Sequence, residues 1–260
     1  MRSILVNVDR RPGMTARLDT ALSLARAFSG HITLVVDTPV ARYVSMDQMG
    51  GSFIASEALR EAMDDDLAYA KTLEAQLLHE SVPFDVVRSE AEPVDALASA
   101  ARLADLVVLS RSSGIAGELA LVSSTPVLAL GDNTALQAPV GKVCIAWDGG
   151  DEAACALRNS IALLSGAESV SVVTVKEKSG GFPSTEALRY LSRHGIAAEL
   201  IELTREGTTE ETMAREVERL EADLLVMGAY GRSRFREFLF GGVTRHFLES
   251  ENGPALLLAH

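Results

Sequence analysis

The sequence has few of the residues that mark secreted, metal-binding or membrane proteins. Cys144 and Cys155 are its only cysteines, and their spacing suits neither a disulfide scaffold nor a zinc site, so we expect two buried free thiols. No apolar stretch approaches the roughly 20 residues that span a bilayer. The apolar run at the N-terminus ends at Asp9, too early for a signal-peptide core. These absences predict a cytoplasmic protein that does not enter a membrane.

Basic residues are also scarce, since 24 Lys and Arg stand against 36 Asp and Glu and the formal net charge is −12. Nucleic acids and anionic membranes bind basic surfaces, so this balance argues against both partners. The five histidines form neither an HExxH motif nor a triad-like order. We interpret the run 64–66, three aspartates, as a solvated helix face. The sequence therefore predicts no catalytic residue and no metal site.

The residues that are present fall into two similar halves. A short apolar run that closes with an aspartate occurs twice, ending at Asp9 and at Asp148. With this pair, three apolar landmark segments recur in the same order in the two halves. The pairs are 4–9 and 143–148, 105–110 and 223–228, and 125–130 and 253–258. Ordered recurrence predicts an internal duplication. The first copy carries an insertion around residues 38–70. Between Ser110 and Pro126, ahead of its last landmark, it has 10 residues fewer than the second copy.

Strand and helix patterns alternate in both copies. The strands are runs of Val, Ile and Leu, which is typical of parallel sheets covered by helices on both faces. We predict strands at 3–8, 31–36, 84–88, 105–109, 126–130, 142–147, 169–175, 197–203, 223–227 and 254–258, and helices at 14–29, 56–80, 93–102, 151–165, 184–194, 209–221 and 236–249. The predicted fold class is α/β, with two tandem doubly wound five-stranded parallel-sheet domains. Their predicted bounds are 1–132 and 141–260, with a linker at 133–140.

A segment rich in glycine and arginine follows the fourth strand of the second copy. Between residues 228 and 245 it holds four arginines against one glutamate, in an otherwise acidic half. Glycines at the carboxyl end of a parallel strand let backbone N–H groups approach an anion closely. The segment favours an anionic ligand. The alternative stays open that the glycines only form tight turns and the arginines pair with acidic helices.

The spacing Gly228-x2-Gly231-x9-Gly241, after an apolar strand and before a helix and a proline-led final strand, resembles the nucleotide-binding signature of the universal stress protein family. Both halves fit that family's strand order, so the resemblance covers nearly the whole chain. It implies an adenine-nucleotide alpha hydrolase-like fold for each copy. It also implies an intramolecular pseudo-dimer that packs through the final strands, an arrangement that we expect to be incompatible with one continuous sheet.

The resemblance further implies an ATP site in the second copy, where the glycine loop holds the phosphates and Asp148 helps to fix the adenine. Matched residue by residue, the candidate set is Ala146, Asp148, Val175, Met227, Gly228, Gly231, Arg232, Gly241, Gly242, Val243 and Thr244. Ala146 and Val175 are weaker candidates for the adenine wall. Gly242 stands where the family usually has Ser or Thr, and we expect Thr244 to compensate by turning its hydroxyl and the following helix N-terminus towards the anion.

The first copy departs further from the signature. Ser110 and Ser113 stand at its first two glycine positions, and the rest of the loop is missing. Asp9 alone does not make a site, so the sequence predicts at most one nucleotide site per chain.

The function implied is that of a non-enzymatic, ATP-binding stress-response regulator. Its expected ligand is ATP, with or without Mg²⁺, and its expected partners are the adenine nucleotide, an unidentified protein and a second copy of the tandem chain. The alternative is an interaction module with no working nucleotide site. Weak ATP hydrolysis is a third reading, less favoured because no general base or magnesium-binding carboxylate set is visible beside the loop.

Overall fold

The computed structural model describes residues 1–46, 52–176, 181–229, 242–250 and 252–260, with the backbone alone at 45–46 and 52–54. Within these ranges strands and helices alternate as predicted. Among the described residues no helix is both long enough and apolar enough to cross a membrane.

The described part of the first half contains seven strands and four α-helices. The strands are β1 (Ser3–Val8), β2 (His31–Asp37), β3 (Val44–Met46), β4 (Ser52–Ile54), β5 (Phe84–Ser89), β6 (Leu106–Ser110) and β7 (Val127–Leu130). The helices are α1 (Met14–Phe28), α2 (Ser56–Leu77), α3 (Pro93–Ala100) and α4 (Ala116–Val122). The β3–β4 hairpin and α4 were not predicted, because each is short and the hairpin lies in the insertion. A short 3-10 helix, Arg111–Ser113, stands where the first copy lacks the glycine loop.

The second half repeats the pattern without an insertion. Its strands are β8 (Lys142–Ala146), β9 (Ser169–Val175), β10 (Glu199–Leu203), β11 (Leu224–Gly228) and β12 (Ala255–Ala259). Its described helices are α5 (Asp151–Leu164), α6 (Ser184–Arg193), α7 (Thr209–Arg219) and α8 (Gly242–Glu249). The first part of the helix predicted at 236–249 lies outside the described residues.

Ten of the described strands, five from each half, form one sheet in the order β10-β9-β8-β11-β12-β7-β6-β1-β2-β5, while β3 and β4 form a separate antiparallel pair. In this ten-stranded sheet all pairs within each half are parallel, and each half has the same internal order, which confirms the two tandem doubly wound units. Helices α1, α2, α5 and α6 cover one face of this sheet, and α3, α4, α7 and α8 cover the other. Each face buries an apolar cluster that runs through both halves, because alternate strand residues point to opposite faces.

The halves meet through their last strands, as expected, but the expectation of two unjoined sheets was wrong. Strand β12 pairs antiparallel with β7, with Leu256 opposite Ala129, Leu257 opposite Leu128 and Leu258 opposite Val127. An unpaired edge strand leaves a row of backbone donors and acceptors without partners. Direct pairing satisfies these groups, and it buries every residue of both strands.

The connection between β7 and β8 is packed against the first half. Leu136 and Val140 are buried in the core. The backbone N–H of Leu136 donates to Thr20 Oγ1 at 2.8 Å, and that of Ala138 donates to Ser23 Oγ at 2.9 Å. Both acceptors lie on α1, so the predicted linker is held against this helix by hydrogen bonds. The domain bounds themselves remain a prediction.

Arg111, directly after β6, ties the first half to the second. Its Nη1 donates to the carbonyl of Ser250 at 2.7 Å, and its Nη2 donates to the carbonyl of Pro254. The side chain is buried, and this burial lowers the pKa of Arg111 below its ordinary value. Both acceptors lie between α8 and β12, so a residue at the first copy's lost loop holds the end of the second copy's helix.

We expect Arg111→Ala to lower the free energy of unfolding by about 2 kcal/mol, because two partly buried carbonyls would lose a charged donor. Thermal or urea unfolding measures the change. Arg102→Ala, at an exposed position of the same half, is the matched control and should stay close to the parent. Equal stability of the two variants would show that the tie between the halves contributes nothing.

Candidate functional site

In the second half the connecting helices change from one face of the sheet to the other between the neighbouring strands β8 and β11. Strands β8 and β11 are neighbours, yet the helices that follow β8 and precede β11, α5 and α7, lie on opposite faces. Ligands of open α/β sheets bind outside the carboxyl ends of the strands at such a switch point. The candidates at these strand ends are Ala146, Val175, Met227 and Gly228, and the structure brings them to one edge.

Four candidates have apolar side chains that pack into one cluster on the α7 and α8 face. Met227 is buried in that cluster, and Ala146, Val175 and Val243 are partly buried against it. Its other members include Met213 of α7 and Phe247 of α8. These contacts give the four residues a role in packing, and the partial exposure of Ala146 and Val175 leaves some apolar surface at the crevice.

Asp148 lies one residue beyond the buried Trp147 and is exposed. Its Oδ1 accepts a hydrogen bond of 2.8 Å from the backbone N–H of Gly150, the residue that precedes α5. Among the described residues Oδ2 has no hydrogen-bond partner. Asp148 therefore presents a carboxylate acceptor to solvent at the switch point.

The turn that carries Asp148 is held by a segment that sequence reasoning had overlooked. Trp147 Nε1 donates to the carbonyl of Phe182 at 3.1 Å, and the N–H of Phe182 donates to the carbonyl of Gly149 at 3.0 Å. Gly149 has φ +72, and a Cβ there would lie 2.5 Å from the nitrogen of Phe182. Glycine is required at this contact for both reasons.

Gly228 permits close packing between a helix and a strand. A Cβ at this position would lie 2.7 Å from the carbonyl carbon and the Cβ of Glu152, and 2.8 Å from the nitrogen of Ala153. Both residues belong to the first turn of α5. The sequence assigned Gly228 to phosphate binding, but this contact accounts for a glycine without a ligand.

Thr244 turns its hydroxyl inwards, which differs from the expectation. The side chain is buried, and its Oγ1 donates to the carbonyl of Gly228 at 3.4 Å, a long bond. The hydroxyl thus connects α8 to the end of β11. Sequence reasoning could not see this contact, because it depends on how deeply α8 packs against the sheet.

Gly242 opens α8 beside a carboxylate. A Cβ on Gly242 would lie 3.2 Å from Oε1 of Glu210, a residue in the first turn of α7. A carboxylate is stabilised by the positive end of a helix, but it repels a second anion placed there. The candidates Gly231, Arg232 and Gly241 lie outside the described residues.

The equivalent edge of the first half is closed by an ion pair. Asp9 Oδ1 accepts from Arg17 Nη2 at 2.6 Å and from the N–H of Arg11 at 3.1 Å, and Oδ2 accepts from Asn7 Nδ2 at 3.2 Å. The Arg17 side chain is fully buried. Asp9 therefore neutralises a buried guanidinium, and both of its oxygens have partners.

More carboxylates gather around Asp9, including two of the three aspartates expected on a solvated face. Asp66 accepts from Thr38 Oγ1 at 2.7 Å, and Asp65 and Asp66 both accept from Arg10 at 3.1 Å. Burial raises the pKa of Asp37 to about 6; the Arg42 guanidinium opposes this, while the Asp9 and Asp66 carboxylates add to it. Asp64 and Asp65 are exposed, as the solvated-face interpretation expects, whereas the Asp66 side chain is partly buried, at 25% exposure.

The raised pKa of Asp37 predicts a pH-dependent stability. The folded state favours the protonated carboxyl, so its stabilisation is complete below pH 3.8, the ordinary value, and is lost as the pH rises through about 6. Asp37→Asn stays neutral, so it should unfold at a higher temperature than the parent at about pH 7.5, and the difference should shrink towards about pH 4. Thermal unfolding across this range checks it. Asp19→Asn, at an exposed site on α1, is the control, and the same pH profile for both variants would contradict the assignment.

A methyl group at Gly228 should disturb the packing of α5. We expect Gly228→Ala to cost about 1 to 3 kcal/mol of stability, because a backbone carbon blocks the Cβ. Denaturant titration measures the loss. Gly131→Ala is the matched control, since a Cβ there meets no atom within 4 Å. A fully stable Gly228→Ala protein would show that the close contact between α5 and β11 is not needed.

Comparison with known proteins shows to which protein family the chain belongs. Residues 1–128 and 139–258 each match the sequence profile of the Universal stress protein family, so the matches cover both halves. A search of the curated proteins found no match.

Solved structures resemble the full chain at low identity. A universal stress protein from Archaeoglobus fulgidus DSM 4304 is 14% identical, with a TM-score of 0.69 over 99% of this chain and 96% of that one. A functionally unknown protein from Pseudomonas aeruginosa PAO1 is 18% identical, with a TM-score of 0.62 over 100% and 92%. At these identities the likeness establishes the fold alone, including its extension over both halves.

Proposed function

This chain belongs to the universal stress protein family, and on that basis we propose that it is a non-enzymatic stress-response regulator that binds ATP in its second half. Binding would act by shifting the conformation or the partner affinity of the chain, which requires that ATP bind one state more tightly than another. The proposed partners are the adenine nucleotide, an unidentified protein and a second tandem chain.

The observation that carries the proposal is the difference between two aspartates at equivalent strand ends. Asp9 is occupied by the buried Arg17, whereas Asp148 is exposed and keeps one carboxylate oxygen without a partner among the described residues. Adenine carries an exocyclic amine, and a carboxylate accepts hydrogen bonds from N–H donors. An available acceptor at the switch point supports binding of the base in the second half only.

The phosphate end has weaker support in the described residues. The N-terminus of α8 would attract phosphate, but Glu210 lies beside it and opposes a second negative charge. Arginines between 230 and 241 or a Mg²⁺ ion carried by the nucleotide would offset that repulsion. The adenosine part is therefore proposed to supply most of the recognition.

A second candidate function is an interaction module without a nucleotide site. Two observations favour it, namely the packing contact that accounts for Gly228 and the inward hydroxyl of Thr244. Both features are explained by the fold, with no need for a ligand. Direct measurement of binding separates the two functions.

Calorimetric titration of the full chain with ATP should give one site per chain. Asp148→Ala should weaken ATP and adenosine alike by about ten- to a hundredfold, the range for loss of a hydrogen bond to a charged group. Asp9→Asn is the matched control, because the amide keeps an acceptor for Arg17, and it should leave the affinity unchanged. Alanine would be a poor control at Asp9, since it would strand a buried guanidinium.

Three results would contradict the proposal. Two equivalent sites would show that the first half also binds the nucleotide. Unchanged affinity in a folded Asp148→Ala protein would remove Asp148 from the site. An absence of adenine-nucleotide binding by the parent at millimolar ligand would leave the interaction module in its place.

A further inference from the structure

Phe182 is an exposed aromatic residue whose backbone is bonded to the turn that carries Asp148. The residue is 59% exposed, and among the phenylalanines whose side chains the structure describes it alone is exposed. Single apolar residues at a surface are ordinary, so exposure by itself carries no meaning. The backbone hydrogen bonds of Phe182 to both chain neighbours of Asp148 supply the second observation.

The backbone of Phe182 is fixed against the turn that carries Asp148. Its carbonyl accepts from the buried Trp147 indole, and its N–H donates to Gly149, so both of its backbone groups bond to the two neighbours of Asp148 in the chain. Consecutive Cα atoms lie about 3.8 Å apart. The Phe182 backbone is therefore held against the residues on both sides of Asp148, and its side chain starts from this fixed point.

A carboxylate and an aromatic ring together suit a planar base that carries an amine. The carboxylate reads the edge of such a base by accepting from its N–H groups, and the ring covers its face by stacking. Stacking is tolerant of sequence because every base has a π-face, whereas the carboxylate requires a donor on the edge. Neither group has any affinity for phosphate.

We propose that Phe182 stacks on the adenine that Asp148 holds, and that it is a specificity-determining residue of the nucleotide site. The inference rests on the proposed function and deepens it, because it assigns recognition to the base. It also gives the segment after β9 a role that the glycine-loop signature does not include. The ligand class is a nucleoside or nucleotide whose base presents an amine.

The test compares three ligands, ATP, adenosine and inorganic tripolyphosphate, on the full chain. Phe182→Ala should weaken ATP and adenosine by the same factor, about tenfold or more, as base–aromatic stacking predicts. It should leave any tripolyphosphate binding unchanged. Phe182→Tyr should keep the parent affinity, and Phe182→Leu, which keeps apolar bulk without a π-face, should lose most of it. Leu103→Ala, at the 94% exposed residue of the first half, is the control.

The single tryptophan supplies an independent readout. Trp147 bonds to the backbone of Phe182, so its fluorescence should change when ATP binds the parent, and Phe182→Leu should need proportionally more ATP for the same change. Melting temperatures show whether the variants are folded. If the parent binds ATP and folded Phe182→Leu binds it equally well, the inference fails and the proposed function stands. If the parent binds neither ATP nor adenosine, both fail.

Discussion

The backbone hydrogen bonds between β7 and β12 hold the two copies in one sheet, and the other features of the molecule depend on them. Each copy ends in an apolar strand that would be an edge if the copy stood alone. Antiparallel pairing of equivalent edges is the isologous contact of a two-fold dimer, here made within one chain. It leaves β5 and β10 as the outer strands, and it makes the two helical layers continuous across the junction.

Within this shared sheet, the two halves differ at the carboxyl ends of their strands. Both copies end their first strand near an aspartate, yet α1 brings the buried Arg17 to Asp9, while within the described part of the chain Asp148 accepts only from the N–H of Gly150, which precedes α5. A buried guanidinium must have an acceptor, so the first copy cannot release its aspartate to a ligand without a large cost. The second copy carries no comparable ion pair at Asp148 among the described residues, and its aspartate is free to serve binding. The same position thus has a structural role in one copy and a proposed ligand role in the other.

The sequence predicted the fold well because its signals are local and strong. Continuous Val, Ile and Leu runs were enough for the α/β class, and three recurring landmarks were enough for the duplication, whereas the strand order of each half was implied by the family resemblance. It failed where the decisive contacts are tertiary. Arg17 has no local signal that marks it as buried, Gly228 looks the same whether it meets a phosphate or α5, and the exposure of Phe182 depends on a segment bonded to Trp147. The unpredicted α4 has only seven residues, too few for a reliable helical period.

The two copies remain coupled after their divergence, and the coupling passes close to the proposed site. Arg111 occupies the stretch where the first copy has lost the glycine loop, and it holds the carbonyl at the end of α8, the helix that follows the loop in the second copy. Cations stabilise the C-terminal end of a helix, because the unpaired carbonyls there carry negative charge. Arg111 thereby fixes one end of α8, while Thr244 fixes the other end to β11. A nucleotide that moved the N-terminus of α8 would therefore strain contacts with the first half, and under the proposed function these contacts would connect occupancy in the second copy to the first.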